Sequence, residues 1–142
     1  MSRHVYACRV RWSDMDAYGH VNNVIYLQYL EEARVDMFAI HALRSGIDRL
    51  ARGVVVARHE IDYKLPIVFR TEPILIETWV ERIGRASFTL GYEVVDDLSG
   101  ERRVCARAAS VMVPYDIQER RPTRLTEDER SALEQFLEPA PA

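Results

Sequence analysis

One long helix limits the possible folds of this chain more than any other segment. Its first two turns are apolar on nearly every side, from Val24 to Leu30. Apolar residues continue beyond them at three- and four-residue steps, which predicts a helix running to about Leu43 with Gly46 as its stop signal. The positions with this spacing are Val24, Leu27, Leu30, Ala33, Met37 and Ile40. A helix with so little polar surface at its start must be wrapped by other structure.

Four segments with a period of two follow the helix and can supply that wrapping. The first is residues 54–65, and its predicted apolar face consists of Val55, Ala57, His59, Ile61, Tyr63 and Leu65. The other three begin at Pro73, Ala86 and Arg102, and residues 4–11 alternate well enough to form a strand ahead of the helix. The connections at Gly84–Arg85 and at residues 96–100 are hairpin-short, so these strands should be antiparallel neighbours.

These elements predict an α+β fold in which a five-stranded antiparallel sheet curls around one long central helix. A length of 142 residues suits one domain, and we expect residues 1–142 to form it. Thr126 and Glu129 have the spacing of a capping box and predict a short C-terminal helix, followed by a loose tail at residues 138–142. The sheet face away from the central helix needs water or a partner subunit, which favours an oligomer.

Composition and charge argue against several classes of function. Hydrophobic residues at 48% and charged residues at 29% are typical of a globular protein, and no apolar run approaches the roughly 20 residues that cross a membrane. The start of the chain lacks the apolar segment of a secretory signal, so we expect residence in the cytoplasm. A net charge of -3 offers no basic field for nucleic acid. Cys8 and Cys105 form no CxxC motif and are predicted to be reduced and structural.

The ten residues before the helix are crowded with polar groups that could perform chemistry. Asp16 lies seven residues before Asn23, the predicted first turn, and Gly19 allows the backbone to fold sharply between them. The carboxylate can therefore return to the helix N-terminus, where unpaired N–H groups can stabilise a developing oxyanion. A carboxylate acting as base or nucleophile beside such a site suits attack on an activated carbonyl. A thioester is an easier target than an amide because thiolate is a good leaving group.

Plainer interpretations of the same residues remain open. Asp16 could be a turn or capping acid, and Asn22 and Asn23 could be caps whose side chains fix the turn. We interpret Asp14 as an acid that organises the loop, because two carboxylates so close would raise a pKa rather than activate a nucleophile. His20 either orients Asp16 or the substrate, or ties the loop by hydrogen bonds. A metal site is not favoured, since no further ligand stands at suitable spacing, and no G-x-S-x-G elbow supports a serine hydrolase.

The segment "DMDAYGHVNNVIYLQYLEEAR", residues 14–34, resembles the hotdog-fold thioesterases of the 4-hydroxybenzoyl-CoA thioesterase type, especially their acyl-CoA thioesterase branch. "EIDYKLPI" at 60–67 and "RIGRASFTLGYEV" at 82–94 extend the likeness. The resemblance implies a hotdog fold, with Asp16 as the catalytic carboxylate and the backbone amide of Asn23 as the group that polarises the thioester carbonyl. His20 replaces an apolar residue of the founding type, so its function stays open.

The resemblance also implies partners and a substrate. Hotdog subunits usually pair so that sites form between them, which predicts a homodimer or a homotetramer built as a dimer of dimers. Positions that often contact the nucleotide end of coenzyme A correspond to Lys64, Arg85 and Ser87. No cofactor is implied, because coenzyme A enters as part of the substrate.

The predicted function is hydrolysis of an acyl-CoA thioester to a free carboxylic acid and CoA. Two alternatives remain: a hotdog module that binds acyl-CoA without turnover, and a hotdog hydratase or dehydratase, which would need a histidine and an acid aimed at a β-carbon. Tyr26, Tyr29 and Met37 are most simply core residues, although some could line an acyl tunnel. The length of the acyl chain, and the choice between CoA and an acyl carrier protein, are open.

Overall fold

The elements follow the order predicted from the sequence, with one short addition. The computed structural model describes residues 3–45 and 53–139. Its two helices are α1 (Asn23–Ser45) and α2 (Glu127–Glu134), and a 3-10 turn covers Trp12–Asp14. The strands are β1 (His4–Cys8), β2 (Val54–Tyr63), β3 (Ile74–Ile83), β4 (Phe88–Asp96), β5 (Arg103–Asp116) and β6 (Arg121–Pro122). The predicted stop at Gly46 lies outside the described residues.

The strands form one antiparallel sheet in the order β1-β3-β4-β5-β2, with the short β6 paired to β5. The predicted five-stranded antiparallel sheet is therefore confirmed, and β6 is the strand that the sequence did not indicate. One face of the sheet carries the core residues Ile76, Leu90 and Val94, and α1 packs its buried Leu30 and Met37 into the same cluster. A sheet that curls around a single long helix is the hotdog arrangement implied by the sequence resemblance.

The edge strand β2 differs from the prediction, because the register shifts between Val56 and Arg58. Before the shift, Val56 pairs with Met112; after it, His59 pairs with Ser110 and Tyr63 with Ala106. Paired residues lie on the same face of a sheet, so Val56 shares a face with His59 and Tyr63. The prediction that Val55 shares this face is wrong, because the bulge reverses the alternation; Ala57 lies in the bulge and has no paired position in β5. The predicted single wet face is also wrong, since most of β2 is exposed on both faces.

Helix α1 is covered by the sheet along one side only. Val24 is 57% exposed and Val35 is 56% exposed, and Gln28 and Glu31 lie between them on the same exposed stripe. The predicted wrapping is thus incomplete in a single protomer. Where this stripe approaches β2, a cavity of about 350 Å³ is lined by residues of both elements: Glu31, Arg34, Val35, Phe38, Val54, Val55, Val56 and Met112.

The outer face of the sheet, away from α1, carries an ion-pair network centred on Glu93. Its carboxylate accepts hydrogen bonds from Arg3, Arg102 and Arg107. Burial alone would raise the pKa of Glu93, but these hydrogen bonds outweigh it and lower the pKa to about 2. The Arg3 guanidinium also lies over the Trp79 ring, with its Cζ 3.8 Å from the ring centroid. A charged layer therefore occupies much of this face.

The C-terminal segment is attached to the sheet more firmly than predicted. The capping box is confirmed: Thr126 Oγ1 accepts from Glu129 N at 3.1 Å, and Thr126 N donates to Glu129 Oε1 at 2.8 Å. After α2 the chain returns to β3, where Glu138 N donates to Val80 O at 2.8 Å. Arg3 Nε also donates to Glu138 Oε1 at 3.0 Å. The prediction of a loose tail is therefore wrong at Glu138, while residues 140–142 lie outside the described part.

Candidate active site

The loop before α1 folds back as predicted and brings Asp16 to the N-terminus of the helix. Met15 and Val21 form an isolated antiparallel bridge across the loop. Within it, Asp16 N donates to His20 O and Gly19 N donates to Asp16 O, each at 3.0 Å. Gly19 has a φ of 78°, a left-handed conformation that glycine adopts without steric cost. The sharp fold at Gly19 is thus confirmed.

Asn22 connects the Asp16 carboxylate to the start of α1. Its Oδ1 accepts a hydrogen bond from Val24 N at 3.0 Å, which caps the helix, and its Nδ2 donates to Asp16 Oδ2 at 3.2 Å. Tyr18 N donates to the other carboxylate oxygen, Asp16 Oδ1, at 2.9 Å. The capping prediction for Asn22 is confirmed, but its second bond, to Asp16, could not be anticipated from the sequence. This one side chain fixes the carboxylate relative to the helix terminus.

The backbone carbonyl of Asn23 is hydrogen-bonded to a side chain, whereas its N–H stays available. Asn23 is the first residue of α1, where helix N–H groups have no intrahelical acceptor. Within the described ranges no other acceptor receives the Asn23 N–H. Its carbonyl oxygen accepts a hydrogen bond from the Tyr63 hydroxyl at 2.8 Å. An unpaired N–H at the positive end of a long helix is a suitable donor to an oxyanion.

Asp16 and Asn23 line the same open cleft, which has a volume of about 590 Å³. Its polar wall also includes His20 and Lys64, so four of the six predicted site residues lie together. The His20 ring makes no hydrogen bond among the described residues, and it is the backbone carbonyl of His20 that ties the loop. The remaining lining is mainly apolar or aromatic and consists of Tyr18, Val21, Tyr26, Tyr63, Leu65 and Pro66.

Arg85 and Ser87 lie elsewhere in the protomer. They belong to the β3–β4 hairpin, closed by a 2.7 Å hydrogen bond from Gly84 N to Ser87 O. The neighbouring Phe88 pairs with Met112 of β5, whereas Tyr63, at the cleft, pairs with Ala106. At 3.3 Å per strand residue, six residues of β5 separate the two sites by about 20 Å. A single protomer does not bring Arg85 and Ser87 to the cleft, and their role in binding the nucleotide end stays a prediction.

Asp14 is a buried acid that organises the loop, as interpreted from the sequence. It is 1% exposed and accepts hydrogen bonds from the Tyr29 hydroxyl at 2.6 Å and from the backbone and guanidinium N–H groups of Arg11. Burial would raise the pKa of Asp14, but the hydrogen bonds from Tyr29 and Arg11 prevail and lower it. The Asp14 carbonyl also accepts from Asn22 N at 3.0 Å, so the anchored acid positions the cap. Sequence reasoning placed Tyr29 in the core but gave no signal for its bond to Asp14.

The described residues also bear on two other kinds of site. Among them, no three His, Cys, Asp or Glu side chains come together as a metal site would require. No helix in the same part of the chain is long and apolar enough to cross a membrane.

Comparison with known proteins identifies the family of this chain. A family model described as the thioesterase-like superfamily matches residues 10–133, and the chain therefore belongs to that superfamily. YsmA of Bacillus subtilis (strain 168), an uncharacterised protein, is 32% identical over 124 residues, which cover 87% of this chain and 80% of YsmA. The long-chain acyl-CoA thioesterase FadM of Escherichia coli (strain K12) is 29% identical over 129 residues, covering 91% of this chain and 96% of FadM.

A solved structure of similar shape contains the expected kind of ligand. It is a thioesterase of Thermus thermophilus in complex with coenzyme A and zinc. It is 27% identical to this chain, covers 93% of this chain and 92% of its own, and superimposes with a TM-score of 0.76. The resemblance to hotdog thioesterases found in residues 14–34 is thus confirmed over most of the chain.

Proposed function

We propose that this protein is an acyl-CoA thioesterase that hydrolyses the thioester to a free carboxylic acid and CoA, with Asp16 and the Asn23 amide at its centre. The observation that supports the site most strongly is the joint anchoring of these two groups. Asn22 holds the Asp16 carboxylate at the start of α1, and Tyr63 holds the Asn23 carbonyl, so the acid and the unpaired N–H line one cleft. Membership in the thioesterase-like superfamily supports the reaction.

The chemistry follows from the two groups. The thioester carbonyl oxygen accepts a hydrogen bond from the Asn23 N–H, and the helix dipole of α1 stabilises the negative charge that develops on that oxygen. Asp16 then acts in one of two ways. As a nucleophile it forms a mixed anhydride and expels CoA thiolate, and water hydrolyses the anhydride. As a base it removes a proton from water, which adds to the carbonyl carbon before the thiolate leaves.

Oxygen isotopes distinguish these two routes. In a single turnover in H₂¹⁸O with enzyme in excess, the base route places ¹⁸O only in the carboxylic acid product. The nucleophilic route places ¹⁸O in the Asp16 carboxylate whenever water attacks the enzyme side of the anhydride. Mass spectrometry of the peptide containing Asp16 separates the two.

The assembly that completes the site is a homodimer formed through β2. Strand β2 is an exposed sheet edge, and the exposed stripe of α1 with Val24 and Val35 lies beside it. Antiparallel pairing of β2 with its copy places the Val54 end of the partner's β2 beside the Tyr63 end of the first protomer's β2. The β3–β4 hairpin with Arg85 and Ser87 lies at the Val54 end, because Phe88 and Val56 both pair with Met112. Arg85 and Ser87 of the partner subunit would then approach the cleft that contains Lys64. These three residues would hold the phosphates of CoA.

Residence in the cytoplasm is a further part of the proposal. Cys8 and Cys105 are both free and buried, which suits a reducing compartment.

The test is release of thiol from a panel of acyl-CoAs by the wild type, Asp16→Asn and a control, Asp97→Asn. Asp97 is an exposed acid in the β4–β5 turn, so its variant controls for the loss of one surface charge. The expected result is turnover by the wild type and the control, with a loss of about 10²- to 10⁴-fold in Asp16→Asn, the range that general acid–base groups contribute. If no thioester is cleaved while acyl-CoA binds equally to all three proteins, the protein is a binding module instead.

A further inference from the structure

Tyr63 is one of the aromatic residues that line the cleft. Its ring packs edge-to-face on Tyr26, with centroids 5.0 Å apart and planes at 82°. Its hydroxyl donates to Asn23 O at 2.8 Å, so the last residue of β2 is joined to the first turn of α1. This aromatic pair lines the cleft beside Asn23, where the acyl group of a bound thioester must lie.

A second cavity lies further along the same two elements. It has a volume of about 350 Å³ and is flanked by Val35 of α1 and Val56 of β2. Seven residues of β2 separate Val56 from Tyr63, or about 20 Å. Leu27 of α1 and Ile61 of β2, both apolar and partly buried, pack against the core between these two points of the chain. We call the strip of α1 and β2 between the two cavities the seam; the Tyr26–Tyr63 pair lies at its cleft end and the second cavity lies at its other end.

The two tyrosines differ in their freedom to move. Tyr26 is 3% exposed and belongs to the core, whereas Tyr63 is 46% exposed. The Tyr63 ring has an edge-to-face contact with Tyr26 and one hydrogen bond to Asn23 O, and its exposed side leaves room for the ring to turn outward in the protomer. Tyr63 is thus the member of the Tyr26–Tyr63 pair that can move.

We propose that Tyr63 is the residue that sets acyl chain length, by closing the seam between α1 and β2 against long acyl chains. This inference rests on the proposed thioesterase function. With Tyr63 in place, compact acyl groups, either short chains or a single aromatic ring, fit against the aromatic wall. Longer chains must displace the ring and break its bond to Asn23 O, which loosens the first turn of α1 next to the oxyanion donor.

The test compares Tyr63→Ala, which removes the ring, with Tyr63→Phe, which removes only the hydroxyl. The specificity ratio is kcat/KM for palmitoyl-CoA divided by kcat/KM for butyryl-CoA, and benzoyl-CoA serves as the aromatic probe. The wild type should have a ratio below one. Tyr63→Ala should raise the ratio at least about tenfold, since even one methylene in an apolar pocket changes kcat/KM by that factor or more. Tyr63→Phe should keep the wild-type ratio and reduce turnover of all substrates by a common factor.

Two results would overturn the inference. One is a wild-type preference for palmitoyl-CoA over butyryl-CoA, which needs no variant. The other is an unchanged ratio in folded, active Tyr63→Ala, with folding checked by circular dichroism. Neither result touches the proposed function, which is judged by Asp16→Asn. Conversely, if Asp16→Asn retains full turnover, the catalytic assignment fails whatever the ratio in the Tyr63 variants.

Discussion

Asn22 should serve two purposes that different substitutions can separate. Asn22→Ala removes both the cap on α1 and the hydrogen bond to Asp16 Oδ2. Loss of an N-cap costs about 1 kcal/mol in the free energy of unfolding, equivalent to a fall of roughly 3–5 °C in melting temperature for a chain of this size. Release of the Asp16 carboxylate should in addition lower kcat/KM strongly, because a misplacement of about 1 Å can lower turnover about 10²-fold.

Asn22→Asp keeps the cap, because aspartate caps helices about as well as asparagine. It replaces the amide donor to Asp16 Oδ2, now at 3.2 Å, with a second negative charge. Because the cap is kept, the melting temperature at neutral pH should fall only by what the repulsion between the two carboxylates costs, while kcat/KM falls strongly. Repulsion between the two carboxylates should also move the acidic limb of the kcat/KM–pH profile to higher pH.

The assays are thermal unfolding by circular dichroism and thiol release between pH 5 and pH 9 with one good acyl-CoA substrate. Asn22→Ser serves as a further control, because serine caps the helix without adding charge. If Asn22→Asp has the wild-type kcat/KM and pH profile, the bond from Asn22 to Asp16 has no part in catalysis. The reasoning that links the cap to the carboxylate would then be refuted.

Three further predictions concern stability and assembly. Gly91→Ala should destabilise the fold by about 1–3 kcal/mol, because an added Cβ would lie 2.5 Å from the Trp79 ring; an unchanged melting temperature would contradict this. The lowered pKa of Glu93, about 2, means that its ionised form stabilises the fold above the unfolded pKa near 4.5 and that this stability is lost as pH falls towards 2. The free energy of unfolding should therefore fall more steeply over that pH range in the wild type than in Glu93→Gln, and equal slopes would refute the assignment. Val35→Asp should convert the proposed dimer to monomer in light scattering and lower turnover, and a dimer that persists in this variant would exclude this face from the interface.

The sequence predicts those features of the fold that depend on local spacing. Three such features are observed: the start of α1, the period-two strands and the Thr126 capping box. Each depends on a few consecutive residues. The fold of the loop at Gly19 is predictable for the same reason, because only a few residue types adopt positive φ without strain.

Features that depend on distant partners were not predictable. The bulge between Val56 and Arg58 is set by pairing with β5, and it reverses the faces inferred from alternation alone. The bond from Tyr29 to Asp14 and that from Tyr63 to Asn23 join separate elements through side chains that look like ordinary core or strand residues. The exposed face of α1 could not be foreseen either, because periodicity reports which residues are apolar and not which of them one protomer can cover.

The maximum turnover of Asp16→Asn at saturating acyl-CoA tests most directly whether Asp16 performs the chemistry beside the Asn23 amide. Saturation removes differences in binding, so kcat reports the chemical role of the carboxylate. The expected result is a kcat reduced about 10²- to 10⁴-fold in a protein that melts as the wild type does. A kcat within a few-fold of the wild type would contradict it and assign the hydrolysis to other groups in the cleft.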